Sequence, residues 1–154
     1  MAVFGVIGTV ATDADDMAAL DAAGIRNRVI AVSACFSGGW IEPLATDSTL
    51  IMTAADATHT SYGCGTKSEL TFFGRAVFHE QLRQTHSFTE AFAKAVPVIA
   101  QREVEAGKQD GFSNPQIHVG AQIVPVLRAL EHRLQTAEAE GSAEAQVAAA
   151  GAKP

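Results

Sequence analysis

Residues 28–34 read Arg-Val-Ile-Ala-Val-Ser-Ala, a near-continuous apolar run rich in β-branched side chains, and Gly38-Gly39 breaks the pattern soon afterwards. A short run that is apolar on both of its faces reads as a strand covered from both sides. That is the situation of a strand in a parallel sheet sandwiched by helices. Residues 49–54, Thr-Leu-Ile-Met-Thr-Ala, repeat the signature and are followed by a polar, glycine-containing loop over 55–67. Two such strands commit the chain to an α/β architecture, a mostly parallel sheet flanked by helices.

The remaining segments fill in around these strands. Residues 3–10 form a short apolar run with two glycines, read as a strand or a frayed start. Residues 13–23 read as a helix, with Asp13 as cap, Met17 and Leu20 facing inward and Gly24 as the stop. Residues 70–83 read as a helix carrying Phe73, Val77 and Leu82 on one side. Ser87-Phe88-Thr89-Glu90 has the form of a capping box opening a helix that runs to about residue 106, with Pro97 expected to kink it. The phenylalanines at 72, 73, 78, 88 and 92 are read as core. Residues 116–119 suit a short edge strand, and 121–134 an amphipathic helix. Residues 136–154 are Ala, Glu and Gly with little apolar anchorage and are expected to be disordered. The expected organisation is one domain over 1–135 and a tail over 136–154.

Composition narrows the function classes. Apolar residues make up 47 % and charged residues 18 %, the balance of a packed domain. The net charge of −6 and scattered basic residues give no nucleic-acid footprint. No apolar run approaches the roughly 20 residues needed to span a bilayer. Residues 1–10 lack the basic leader and cleavage site of a signal peptide, so cytoplasmic residence is the default expectation. Two cysteines, Cys35 and Cys64, are too few for a structural zinc site, and no histidine pair has helical metal-site spacing. No metal and no cofactor are expected.

Chemistry concentrates in Val32-Ser33-Ala34-Cys35-Phe36-Ser37-Gly38-Gly39-Trp40. It puts a cysteine at the carboxyl end of a buried strand, the end of an open α/β sheet where ligands bind. Ser37, Gly38 and Gly39 leave room for a substrate carbonyl to approach main-chain N–H groups, as a developing oxyanion requires. A cysteine nucleophile needs its thiolate, and therefore a base or a positive field nearby. The competing readings are a small buried core thiol and, through Cys35 and Cys64, a redox-sensing pair. Trp40 reads equally as a groove wall or a packing residue.

Ser-Ala-Cys-Phe-Ser-Gly-Gly resembles the Glu-Ala-Cys-x-Ser-Gly nucleophile motif of the legumain (asparaginyl endopeptidase) family, a branch of the caspase-like fold. The similarity continues through 50–55, through Ser61-Tyr62-Gly63-Cys64, which resembles the family's Ser-Tyr-Ala-Cys, and through 71–76 and 113–116, which are similar to bacterial relatives. It spans about 23–130. The resemblance implies a cysteine peptidase acting on peptide or protein substrates, with Cys35 as nucleophile. It implies Ser33 at the place of a glutamate that lines the primary specificity pocket, a departure that bears on asparagine selectivity. Thr60 and Ser61 match hydroxyl residues on one pocket wall, and Glu69 is the nearest candidate for an acidic residue that completes the pocket. Gly38 joins this set as a substrate-binding residue of the small-residue turn.

One part of the family pattern is missing. In legumains the catalytic histidine lies in a His-Gly pair at the end of the preceding strand, and the glycine amide helps hold the oxyanion. Here the five histidines, His59, His79, His86, His118 and His132, all follow Cys35, and none precedes a glycine. The chain is therefore expected either to begin after the His-bearing strand or to be a degenerate relative, and its short lead-in favours the former. His59, in the loop after the neighbouring strand, is a conceivable substitute base, against the plainer reading of a solvent-facing loop histidine. A non-catalytic interaction module is the alternative to a peptidase. A truncated sheet with an open edge would also favour a homo-oligomer.

Overall fold

The computed structural model describes residues 2–6, 13–63 and 70–151, with side chains described for 18–63 and 70–143. The first strand, β1 (Ala2–Val6), leads to helix α1 (Asp13–Ala22), which Gly24 ends with a φ of 71°. Strand β2 (Arg28–Val32) follows, then a 3-10 turn (Ser37–Trp40), a short helix α2 (Ile41–Leu44) and strand β3 (Thr49–Thr53). Helix α3 (Phe72–Gly74) widens into π-helical turns over Arg75–Gln81, where Leu82 N–H reaches the Val77 carbonyl five residues back at 2.9 Å. Helix α4 (Phe88–Glu105), strand β4 (Gln116–Val119) and helix α5 (Ile123–Gly151) complete the order.

The sheet order is β1-β2-β3-β4, with β1, β2 and β3 parallel and β4 antiparallel to β3 at the edge. Each crossover from one parallel strand to the next moves the same way across the sheet. Right-handed connections then put α1 and α2 on one face, where they touch. Every residue of β2 and β3 is buried, as the double-sided apolar pattern requires. The period-2 alternation sends Val29, Ala31, Leu50 and Met52 to one core with Phe73, Val77, Phe92, Ile99, Ile123 and Leu127. It sends Ile30, Val32 and Ile51 to a smaller core with Leu44. Trp40 packs against that smaller core, which makes it a packing residue.

Several local expectations are corrected. Ser87 makes no side-chain cap bond, and Glu90 instead receives the Thr85 hydroxyl at 2.7 Å and pairs with Lys94 at 2.7 Å. Phe78 stays 38 % exposed, at the rim of the core, where its ring meets the edge of Phe73 with centroids 6.2 Å apart. The tail expected to lack structure continues α5 as helix through Gly151. Residues 132–143 are exposed all round, so packing does not hold them. Their Ala, Glu and Gln content carries strong intrinsic helix propensity, and Glu138 pairs with His86 at 3.0 Å. The inward placement of Met17 and the cap at Asp13 lie outside the described side chains.

Candidate active site

Strand register decides which segments meet. Val32 pairs with Thr53, so β2 and β3 end level, and Ala54 N–H closes the ladder on the Val32 carbonyl at 2.9 Å. Because β4 runs the other way and begins at Gln116 opposite Thr53, the segment before it arrives at the same end. Phe72 N–H bonds the Tyr62 carbonyl at 3.1 Å and brings the start of α3 there as well. Residues 33–36, 54–63, 71 and 110–115 thus converge on the carboxyl end of the sheet.

Cys35 stands in the turn that follows β2, exposed and as a free thiol. The next residue, Phe36, takes the left-handed conformation at φ 58°, ψ 19°, which costs a side-chain-bearing residue free energy and must be held by its surroundings. Phe36 N–H donates to the His59 carbonyl at 2.9 Å, and the Phe36 carbonyl accepts from Gly39 N–H at 3.2 Å. Buried Ser37 straps the turn to the neighbouring loop. Its Oγ accepts from Ala55 N–H at 3.0 Å and donates to the Ala55 carbonyl at 3.3 Å. The Cys35 thiol lies 3.7 Å from Ser61 Oγ and 3.8 Å from the Ser61 carbonyl oxygen. Among the described residues no histidine nitrogen bonds the thiol, and Cys35 N–H meets no backbone acceptor.

Asp56 organises the loop behind this turn. Its Oδ1 accepts from Thr58 N–H at 2.8 Å and His59 N–H at 2.9 Å, and its Oδ2 from Asn114 Nδ2 at 3.0 Å. The His59 ring places Nδ1 2.8 Å from both carboxylate oxygens. The Thr58 N–H, followed by the Asn114 amide, holds the Asp56 carboxyl far below the usual carboxylate range. Asp110, bonded by Lys108 and then by the Thr60 hydroxyl, is pushed down to about 2. The far edge of the His59 ring faces Gly111, where an added Cβ would sit 3.3 Å from Cδ2. His59 is therefore neither a free solvent-facing side chain nor a partner of the thiol. Its ring is pinned by Asp56, and its carbonyl supports the Cys35 turn.

The residues singled out from the sequence fall in different places. Cys35 and Ser61 are brought together. The Ser33 hydroxyl bonds Thr71 Oγ1 at 2.8 Å, while Thr71 also caps α3 by accepting Gly74 N–H at 3.0 Å. Glu69 and Cys64 lie outside the described residues. The Thr60 hydroxyl is turned to Asp110 rather than to Cys35. At Gly38 a Cβ would lie 2.6 Å from Ala57 N and 2.6 Å from Asp56 C. This glycine lets two loops touch, whereas Gly39 faces open space. Sequence reasoning does not single out Thr71, Asp56 and Ser37 as organisers. The Asp-x-Thr order of 56–58 is the signal of a side chain folding back on its own turn, and Thr71 preceding an apolar helical run is an ordinary cap signal.

The model of the peptidase C13 family matches residues 10–121, a stretch that holds β2, β3, β4 and every segment meeting at Cys35. The chain belongs to the peptidase C13 family. This is the family of legumain-type cysteine endopeptidases, and the layered α/β architecture described above is that of its caspase-like clan. The resemblance drawn from the Cys35 motif and its flanking segments is thereby borne out at the level of family and fold. No curated protein matches the chain.

Proposed function

We propose that this C13 chain cleaves peptide or protein substrates with Cys35 as nucleophile. The observation that carries the reading is the exposed thiol at the tip of a strand buried on both faces. In the proposed reaction the thiolate attacks the peptide carbonyl, the C–N bond breaks with a proton passing to the leaving amine, and water hydrolyses the thioester. Cys35 N–H, without a backbone acceptor among the described residues, is available to the oxyanion. Ser33, two residues ahead of Cys35 in the chain, and its partner Thr71 put uncharged hydroxyls where the resemblance places a glutamate, so that position would select by neutral hydrogen bonding.

The general base sets the expected activity. Strand β1, the neighbour of β2, ends at Val6 opposite Val32, and the next two residues in the sequence are Ile7-Gly8. The family pattern has His-Gly after that strand. We therefore propose that this chain turns over little, and that Ile7→His supplies a histidine at that place. The test is intact-mass and peptide-mapping analysis after incubation with a mixture of acetyl-peptidyl acyloxymethyl ketones varied at the terminal residue. An adduct confined to Cys35 is expected, and adducts spread over both cysteines, or none, would discard the peptidase reading. The absence of any histidine on the thiol among the described residues favours a second reading, a non-catalytic module of the same fold. It requires Cys35→Ala to leave partner binding intact and Ile7→His to add no hydrolysis.

A further inference from the structure

The inward stripe of α4 runs Phe92, Ala95 and Ile99, all buried against the sheet, and its next member is Glu103, only 1 % exposed. A leucine there would extend the core, whereas a carboxylate sacrifices solvation and stabilises the fold only through the partners it finds. The Glu103 side chain accepts Ser113 N–H on Oε2 at 3.0 Å, and Oε1 is buried without a partner among the described residues. What this costly group constructs is a hold on residue 113.

From there the bonds lead to the nucleophile turn. The Ser113 carbonyl accepts Asp56 N–H at 2.9 Å, and the next residue, Asn114, held at φ 54°, gives its amide to Asp56 Oδ2 at 3.0 Å. Asp56 Oδ1 takes His59 N–H at 2.9 Å, and the His59 carbonyl takes Phe36 N–H at 2.9 Å, one residue beyond Cys35. Phe36 sits in a backbone conformation that its own side chain disfavours, and the His59 carbonyl is the acceptor that fixes the N–H of the Cys35–Phe36 peptide. A shift of about 1 Å in reacting geometry is enough to slow chemistry by about 100-fold.

We propose that Glu103 is a positioning residue for Cys35, acting through Ser113, Asp56 and His59 without touching substrate. The inference rests on Cys35 being the nucleophile. Its test compares the full chain with Glu103→Gln, which keeps a carbonyl acceptor for Ser113 N–H, and with Glu103→Leu, which fills the site without one. The peptidyl acyloxymethyl ketones report positioned attack, and iodoacetamide reports only an accessible thiol. The expected result is labelling by the peptidyl reagents within about twofold of the parent in E103Q and about tenfold slower in E103L, with the iodoacetamide rate unchanged in both. Equal peptidyl rates in E103L and the parent would overturn the proposal. Should E103L fail to fold, Asn114→Gly keeps the left-handed backbone and cuts the same brace at Asp56. It should slow peptidyl labelling about threefold, and no change would count equally against the proposal. If the peptidyl reagents do not label the parent at all, the peptidase reading falls by itself. The brace is then judged by amide exchange at Asp56 and Phe36, expected to be about tenfold faster in E103L and refuted by unchanged protection.

Discussion

Two adjacent glycines offer a sharp contrast. At Gly38 a methyl group would meet three main-chain atoms, Ala57 N at 2.6 Å, Asp56 C at 2.6 Å and Asp56 Cα at 2.7 Å. Carbon contacts are comfortable only at about 3.5–4.0 Å, so the two loops would have to part by about 1 Å. None of the three atoms is the end of a flexible side chain. Overpacking of this kind costs roughly 1–3 kcal/mol. Separation also stretches the Ser37–Ala55 strap and the Phe36–His59 bond alongside it, each a contribution of about 1 kcal/mol. The expected loss for Gly38→Ala is about 3 kcal/mol, or about 6–12 °C in melting temperature for a chain of this size. At Gly39 an added Cβ meets nothing within 4 Å. Gly39→Ala should be neutral or stabilising by about 0.5 kcal/mol, through lower entropy of the unfolded chain. Urea denaturation followed by Trp40 fluorescence measures both. If the two variants unfold at the same urea concentration, the packing of the Cys35 turn on the 55–57 loop is not as described.

Ser37→Ala leaves Ala55 N–H without its Oγ acceptor in a buried setting and should destabilise by about 1–3 kcal/mol, again read from urea midpoints. A loss below about 0.3 kcal/mol would mean that the strap holds nothing. Asp56 and Asp110 both have folded pKa values below the ordinary carboxylate value. The unfolded chain therefore binds protons more readily, and the stability these groups contribute is complete above about pH 4 and lost as the pH falls towards 2. Asp56→Asn should flatten that part of the stability–pH curve, and an unchanged slope would contradict the network. Ile7→His should raise hydrolysis of a fluorogenic peptide library by at least about 100-fold, and the gain should vanish in the Ile7→His, Cys35→Ala double variant.

Much of the fold was legible because its signals are local and strong. The β-branched runs of β2 and β3, Gly24 as a helix stop, and the edge strand β4 each declare themselves within a few residues. Where reading from sequence failed, a distant partner decided the outcome. Glu90 leaves Ser87 for Thr85 and Lys94, and the close approach of Gly38 to Asp56 and Ala57 joins loops far apart in the chain. Nothing in the spacing of Ser33 and Thr71 announces that their hydroxyls meet, since 38 residues separate them. Residues 132–143 illustrate the opposite case. The disorder expected from residue 136 onward rests on a composition without apolar anchors, but its intrinsic helix propensity extends a helix already nucleated by the buried Ile123 and Leu127.

All of the proposed chemistry requires Cys35 to meet reagents while the protein is folded. The direct measurement is the alkylation rate of Cys35 by iodoacetamide in native buffer, relative to the same chain in concentrated urea. A thiol exposed at the strand tip should react within about tenfold of the unfolded rate. A thiol reached only through global unfolding would react at least about 1,000-fold more slowly, and that result would contradict the account.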